Sequence, residues 1–151
     1  MSSVILNPPV STDEAAILAV IENIRQSNHD KDAAKFAAQF TADAAIFNLA
    51  PPLTHCGVEL TEKKAWFDSW STPVEIDSRD FKVTISGDLA FCHGFLRLSG
   101  TKRGPEGTVS FWMRETLCLE RQGGAWKIVH EHTSVPFYMD GSLRPAFDLR
   151  P

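Results

Sequence analysis

The spacing of apolar residues along this chain changes once, near Val74, and this change constrains the fold more than any other feature. Before it, apolar residues recur every three or four positions, as in helices; after it, they alternate with polar residues, as in strands. Helices that precede the long strands cannot serve as crossovers between parallel strands. The sequence therefore predicts an α+β domain with helices on one face of a mainly antiparallel, strongly curved sheet.

Three helices are predicted before Val74. Ser11 and Glu14 can form a capping box, so the first helix should run from about Ser11 to Ser27. Asp30 is the expected N-cap of a shorter second helix. Thr61 is the expected N-cap of a third helix. This third helix carries three aromatic residues within one turn of one another: Trp66, Phe67 and Trp70.

Five strands are predicted. A short one over Ala44–Leu49 should end before Pro51-Pro52, because two missing amide protons stop ladder pairing. Four longer ones follow, separated by glycine-containing turns. They are Val74–Ser86, Leu89–Thr101, Val109–Arg121 and Trp126–Val135.

Size and charge exclude several classes of protein. A chain of 151 residues with no linker-like interior segment predicts one domain. The net charge is −4 and no basic cluster occurs, which argues against nucleic acid or anionic membrane as a partner. No segment approaches the ~20 apolar residues of a membrane span. Three cysteines without a C-x-x-C pair favour a reducing compartment, so a cytoplasmic location is predicted.

Several segments resemble the SnoaL-like branch of the ketosteroid-isomerase-like, nuclear-transport-factor-2-like superfamily. They are the run Ala42–Leu53, the pair Trp66 and Trp70, Arg114-x-Thr116, and the last predicted strand with its flanks, residues 124–136. The last of these is the most specific. Together with the order of the elements, the resemblance covers about residues 11–137.

The resemblance implies a cone-shaped nuclear-transport-factor-2-like fold, with three N-terminal helices against a strongly curved sheet. Residues 1–10 would form an N-terminal extension and residues 11–137 the SnoaL-like domain. Residues 138–151 would form a C-terminal tail docked on the domain or on a partner subunit, since the tail keeps large apolar residues. Such folds include isomerases, dehydratases, hydrolases and non-catalytic assembly domains, so function must be argued from the pocket between sheet and helices.

The resemblance also suggests which side chains enter that pocket. Similarity to kinase association domains of this fold places Arg97 inward, and alternation then places His93 and Phe95 inward with it. The same similarity puts Leu117, Glu131 and Thr133 on the pocket side. The predicted pocket thus holds His93, Arg97, Glu115, Glu131 and Thr133, walled by Phe91, Phe95, Met113 and Val129, with Trp66 contributed by the third helix.

Classical steroid isomerisation is not expected. In ketosteroid isomerases, a stretch similar to Asp43–Asn48 ends in the aspartate base, but here Asn48 occupies that position. Asparagine cannot accept a proton at neutral pH. The two oxyanion-hole positions correspond to Ile24 and Leu117, which cannot donate a hydrogen bond from the side chain.

Two functional hypotheses remain open for the pocket. In one, His93, Glu131 and Glu115 act as acids or bases on a small, partly apolar carbonyl compound, while Arg97 and Asn48 bind its oxygens. Isomerase- or lyase-like proton transfer without a cofactor would follow. In the other, the charged residues form a satisfied ion network, and the protein is a non-catalytic ligand-binding or assembly domain.

His130 and His132 allow a third hypothesis. They share one face of a strand, so a third ligand would complete a zinc site and make a metal-dependent enzyme. Cys118 and His93 are conceivable third ligands, but the predicted register puts His93 on the other face, and no metal is expected. We expect instead that the convex face of the sheet forms a homodimer. Its predicted residues are Trp112, Arg114, Trp126, His130 and His132.

Overall fold

The computed structural model of the protein describes residues 11–151; the predicted N-terminal extension, residues 1–10, lies outside them. Helix α1 spans Thr12–Asp30 and begins at the predicted cap, since Ser11 Oγ accepts a hydrogen bond from the Glu14 amide at 3.1 Å. The helix ends where Lys31 adopts a left-handed conformation, φ 56°. The helix is therefore one turn longer than the sequence predicts at its C-terminal end.

The other two helices are short and begin at caps that the sequence analysis missed. Helix α2 spans Ala33–Ala37 and is capped by Asp32, because α1 itself extends through Asp30. Helix α3 spans Leu60–Asp68 and is capped by Glu59, whose carboxylate accepts from two amides of the first turn at 3.1 and 2.7 Å. The predicted caps Asp30 and Thr61 are wrong by two positions each.

Six strands form one sheet: β1 Phe40–Phe47, β2 His55–Cys56, β3 Glu75–Ser86, β4 Leu89–Thr101, β5 Thr108–Gln122 and β6 Ala125–Ser134. The strands lie in the order β2-β1-β6-β5-β4-β3. All neighbours are antiparallel except β1 and β6. The α+β class and the mainly antiparallel sheet predicted from the sequence are confirmed.

The helices cover one face of the sheet, here called the concave face. Its core joins α1 and α2 to the inward residues of β1, β4, β5 and β6, including Ile17, Phe36, Cys92, Leu119 and Ile128, all at most 8% exposed. A second, smaller cluster packs α3 against the start of β3. Its buried members are Ala33, Phe67, Trp70 and Val74. Residues of both clusters line the cavity described below.

A β-bulge in β6 corrects one prediction about the opposite, convex face. Cys118 pairs with His130, but Leu119 pairs with Ile128, so one residue of β6 has no counterpart on β5. The alternation of faces therefore shifts between Trp126 and His130. Trp126 is 5% exposed in the core, and its indole nitrogen lies 3.3 Å from Asp13 Oδ1. Its predicted place on the convex face is wrong, because unbroken alternation was assumed.

The C-terminal tail lies against the rest of the chain. The Phe147 ring lies 4.5 Å from that of Phe111 on β5, and Ala146 is 2% exposed. Arg79 on β3 donates to the carbonyl oxygen of Pro151 at 2.7 Å. The tail thus contacts β5 and β3 of its own chain.

No helix within residues 11–151 is long and apolar enough to cross a membrane. The predicted cytoplasmic location stays a prediction.

Candidate functional site

A cavity of about 500 Å³ lies between the concave face and the helices. Its wall is mainly apolar, with Ile24, Phe36, Ile46, Trp66, Leu96 and Met113 among the lining residues. Buried polar side chains lie at its floor, whereas exposed residues such as Asn48, Leu49 and Glu62 line its mouth. An apolar cavity of this size with a few convergent polar groups is typical of small-molecule sites.

The floor of the cavity carries two buried carboxyl groups on adjacent strands. Glu115 on β5 pairs with Thr133, and Glu131 on β6 pairs with Leu117, so the two glutamates are diagonal neighbours on one face. They are 6% and 8% exposed. A hydrogen bond joins the two carboxyl groups. Two carboxylates cannot share such a bond unless one of them is protonated.

Burial is the main reason why both glutamates hold protons more tightly than usual. It raises the pKa of Glu115 well above its ordinary range, and the negative charge of Glu131 raises it further. Burial also raises the pKa of Glu131, although the hydrogen bond from Glu115 and the charge of Lys63 oppose the rise. The pair as a whole therefore keeps a proton to higher pH than exposed glutamates would.

Lys63 is a further ionisable residue of the cavity. Its ammonium nitrogen lies 3.6 Å from the centroid of the Phe36 ring, 4.3 Å from that of Trp66 and 4.7 Å from that of Phe67. Burial lowers the pKa of Lys63 to about 8, against the opposing effect of the Glu131 charge. Within residues 11–151, no carboxylate lies within 4.0 Å of this nitrogen.

Other polar side chains lie toward the ends of the cavity. His55 Nδ1 is 3.9 Å from Glu62 Oε2 at the mouth. Lys102 lies over the Trp70 ring at 4.6 Å and donates to Ser69 Oγ at 3.2 Å. These groups are exposed or hydrogen-bonded, so they differ from the glutamate pair at the floor.

Six of the predicted site residues meet in this cavity. They are Asn48, Trp66, Met113, Glu115, Glu131 and Thr133. The apolar alternation of β5 placed Met113 and Glu115 correctly on the concave face. Ile24, which occupies a catalytic position of the ketosteroid isomerases, also lines the cavity.

The side chains of β4 lie on the faces opposite to those predicted. Cys92, Gly94 and Leu96 point inward and are buried, so His93, Phe95 and Arg97 lie on the convex side. The Arg97 guanidinium pairs there with Asp77 and lies 5.8 Å from the Trp112 ring. The exposed Phe91, predicted as a wall residue, stacks on His93. The similarity to kinase association domains assigned the side chains of β4 to the wrong faces. Because successive side chains of a strand point to opposite faces, an error of one residue moves every side chain of the strand to the other face.

Leu117 and Val129 contribute to the fold rather than to the cavity. Leu117 is 3% exposed within the core cluster and does not line the cavity. Val129 is the residue of β6 that has no partner on β5, so the bulge removes it from the wall that regular alternation predicts. Both corrections follow from packing and register that sequence alternation alone does not specify.

His130 and His132 lie on the convex face, as predicted. His130 Nδ1 is 2.7 Å from the carbonyl oxygen of Ala45, and the Phe47 ring meets both imidazoles edge-on at 4.8 and 5.5 Å. Among residues 11–151, no group of three potential metal ligands is present. The pair thus lacks a third protein ligand in the described part of the chain.

Lys63 and His55 are cavity residues that the sequence analysis missed. A signal for Lys63 exists in the helix: it precedes Trp66 by three positions and Phe67 by four, so it shares a face with them. His55 lies on the two-residue strand β2, which has too few residues to show alternation.

Comparisons with known proteins agree with this architecture. The family model described as "SnoaL-like domain" matches residues 17–138. A crystal structure of an NTF2-like protein of unknown function from Pseudomonas putida KT2440 is 29% identical, with a TM-score of 0.81 over 95% of this chain and 100% of that one. A search of curated proteins gave no match.

More distant structures share the fold alone. A protein with a cystatin-like fold from Nostoc punctiforme is 16% identical, with a TM-score of 0.66 over 90% of this chain and 98% of the other. One from Caulobacter vibrioides is 19% identical, with a TM-score of 0.66 over 80% and 87% of the two chains. With the match over residues 17–138, these findings show that the chain belongs to the SnoaL-like domain family of NTF2-like proteins.

Proposed function

We propose that the cavity binds a small, partly apolar organic molecule and that the Glu115–Glu131 pair moves a proton to or from it. The observation that carries this proposal is the pair itself: two hydrogen-bonded carboxyl groups at the floor of a cavity of about 500 Å³. Burial raises the pKa of both groups, so one carboxyl can give a proton and the other can accept one. General acid and base are thus available side by side.

Within residues 11–151, no arginine pairs with Glu115 or Glu131, which supports catalysis over a structural ion network. A structural network would pair the buried carboxylates with a cation, as the sequence hypothesis required of Arg97. Arg97 instead pairs with Asp77 on the convex side. The positive charge of Lys63 does act on Glu131, and the Lys63 amine lines the same cavity.

Isomerase- or lyase-like proton transfer next to a carbonyl group fits this arrangement. Glu131 would take a proton from the carbon beside the carbonyl, and Glu115 would return one to oxygen or carbon. Asn48, at the mouth, offers an amide that can donate to an oxygen of the ligand. Steroid isomerisation of the known kind stays unexpected, since Asn48 replaces its base.

A proton-exchange assay tests the proposal directly. Incubation of small cyclic and aromatic ketones with the full chain in D₂O should accelerate deuterium incorporation at the carbon beside the carbonyl, followed by NMR. Glu131→Gln should lower the rate by 10²–10⁴-fold, the usual contribution of a general base. Arg97→Ala is the matched control and should keep the rate, because Arg97 lies outside the cavity.

Thermal shifts separate binding from catalysis. A ligand at about 100 times its Kd adds about 2.7 kcal/mol to the free energy of unfolding. Stabilisation without deuterium exchange would support the second candidate, a non-catalytic ligand-binding domain. Neither stabilisation nor exchange with any member of the panel would contradict both.

The convex face supports a further part of the proposal, a homodimer. Exposed apolar residues there include Leu89 at 59% and Phe91 at 47%, next to Trp112, Arg114, His130 and His132. A sheet face with such side chains is typical of a contact surface. Phe91→Asp should lower the mass measured by light scattering from that of two chains to that of one, while Glu106→Lys, on the turn after β4, should not.

A further inference from the structure

The position of Lys63 suggests a more specific chemistry for the cavity. Its amine lies inside an aromatic enclosure, 3.6 Å from the Phe36 centroid, and lines the same cavity as the glutamate pair. A lysine that only stabilises the fold normally keeps its ammonium in water or pairs it with a carboxylate. Among residues 11–151, no carboxylate lies within 4.0 Å of the Lys63 amine, which instead lies against the rings of Phe36, Trp66 and Phe67.

We infer that Lys63 is an amine nucleophile that forms an imine with the aldehyde or ketone group of the molecule bound in this cavity. The inference rests on the proposed function for the existence of a ligand, and it adds the covalent bond and the class of ligand. The geometry carries it: the Lys63 amine and the buried carboxyl groups of Glu115 and Glu131 line the same mainly apolar cavity.

Each step of the reaction balances with groups in the cavity. The lone pair of the neutral amine attacks the carbonyl carbon, a C–N bond forms, and a proton moves from nitrogen to oxygen to give a carbinolamine. The Glu115 carboxyl can then protonate the hydroxyl group, which leaves as water, and the Glu131 carboxylate can take the proton lost from nitrogen. One amine and one carbonyl give one imine and one water.

The ionisation of Lys63 agrees with this role. Burial lowers its pKa to about 8, so a larger share of this amine is neutral near pH 7 than in an exposed lysine. The other titratable groups that face the cavity are His55, Glu59, Glu62, Lys102, Glu115 and Glu131. Glu131 raises the pKa of Lys63 but does not cancel the effect of burial.

Reductive trapping tests the inference. The full chain is incubated with benzaldehyde or cyclohexanone and sodium cyanoborohydride, and the product is measured by intact mass and peptide mapping. We expect one adduct per chain, on Lys63, with a labelling rate at pH 7 at least tenfold above that of the neighbouring, exposed Lys64. The labelling rate of Lys63 should reach half its maximum near pH 8.

Two variants provide the controls. Lys63→Arg keeps the positive charge but cannot form an imine at neutral pH, so its single adduct should disappear. Lys64→Arg, one position further along α3, should keep the adduct. Should Lys63→Arg fail to fold, the peptide map of the unaltered chain still decides where the label lies.

The remaining outcomes separate this inference from the proposed function. Equal labelling of Lys63 and Lys64 would overturn the imine. So would the absence of an adduct while benzyl alcohol or cyclohexanol still stabilises the chain, and this result would leave the cavity as a binding site. Loss of benzoate binding in Lys63→Met without any adduct would instead make Lys63 an ammonium anchor for an anion. No binding of any probe would contradict both proposals.

Discussion

Charged residues are buried on one face of the sheet and exposed to solvent on the other. On the concave face, Glu115 and Glu131 are at most 8% exposed, hydrogen-bond each other and hold their protons tightly. On the convex face, Arg97 and Asp77 form an ion pair whose side chains are 43% and 52% exposed. The glutamates lie on β5 and β6, and Arg97 and Asp77 lie on β4 and β3 of the same sheet, so the two pairs differ in the face of the sheet from which they project.

The difference shows where a catalytic carboxyl can arise in this fold. Water screens the Arg97–Asp77 pair, and exposed pairs of this kind contribute between 0 and about 1 kcal/mol. The glutamates are at most 8% exposed, so burial favours the neutral form of at least one of them. A carboxyl group with a raised pKa thus results from burial on the concave face.

The largest expected effect concerns two tryptophans on opposite faces of the sheet, Trp126 on β6 and Trp112 on β5. Trp126 is 5% exposed in the core, whereas Trp112 lies half-buried on the convex face beside Arg79 and Arg97. Trp126→Ala should lower the free energy of unfolding by about 3–5 kcal/mol, because it leaves a cavity in the core. Chemical denaturation at pH 7 measures the loss.

Trp112→Ala is the matched control for that experiment and should cost clearly less in the monomer, since it removes less buried area. Equal losses in the two variants would contradict the assignment of Trp126 to the core and would restore unbroken alternation along β6.

The second prediction uses pH to distinguish the buried carboxyl from the exposed one. The pKa of Glu115 is raised in the folded state, so the stability that its proton provides is present below the unfolded pKa of about 4.5. This stability is lost as pH rises from that value through the folded pKa. The slope should approach ~1.4 kcal/mol per pH unit in that window. Glu115→Gln, which stays neutral, should flatten it.

Asp77→Asn serves as the control on the convex face. It should leave the slope unchanged, and it should change the free energy of unfolding by no more than about 0.5 kcal/mol. Denaturation curves between pH 5 and pH 9 measure both variants. A slope that is the same in Glu115→Gln and in the unaltered chain would mean that Glu115 is ionised throughout, and the proposed general acid would be lost with it.

The sequence predicts the fold class and the concave side of β5, and the predictions that are wrong have physical causes. The change of period at Val74 is a property of neighbouring residues and predicts the α+β class and the strand segments well. The apolar alternation of β5 also predicts its concave side, because five of six alternate residues from Val109 to Leu119 are apolar. These features need no knowledge of distant contacts.

Register between strands depends on distant contacts and is where the predictions fail. On β4, both alternating sets contain apolar residues, and the aromatic Phe91 and Phe95 belong to the same set as Arg97, so alternation leaves the phase of Arg97 undecided. Gly94 gives a signal for the phase: a Cβ there would come within 2.9 Å of Phe81 Cα, so its inward place allows β3 to approach. Val129 on β6 gives no such signal, because a bulge depends on the partner strand.

The smallest expected effect tests whether Arg97 has any role beyond its surface pair. A double-mutant cycle with Arg97→Ala and Asp77→Ala should give a coupling energy below about 1 kcal/mol, and it should fall further in 1 M salt, where the Debye length is about 3 Å. Ligand-induced stabilisation should be the same in Arg97→Ala as in the unaltered chain. A ligand effect lost with Arg97 but kept with Asp77→Ala would place a binding site on the convex face, and the division of roles between the two faces would then be wrong.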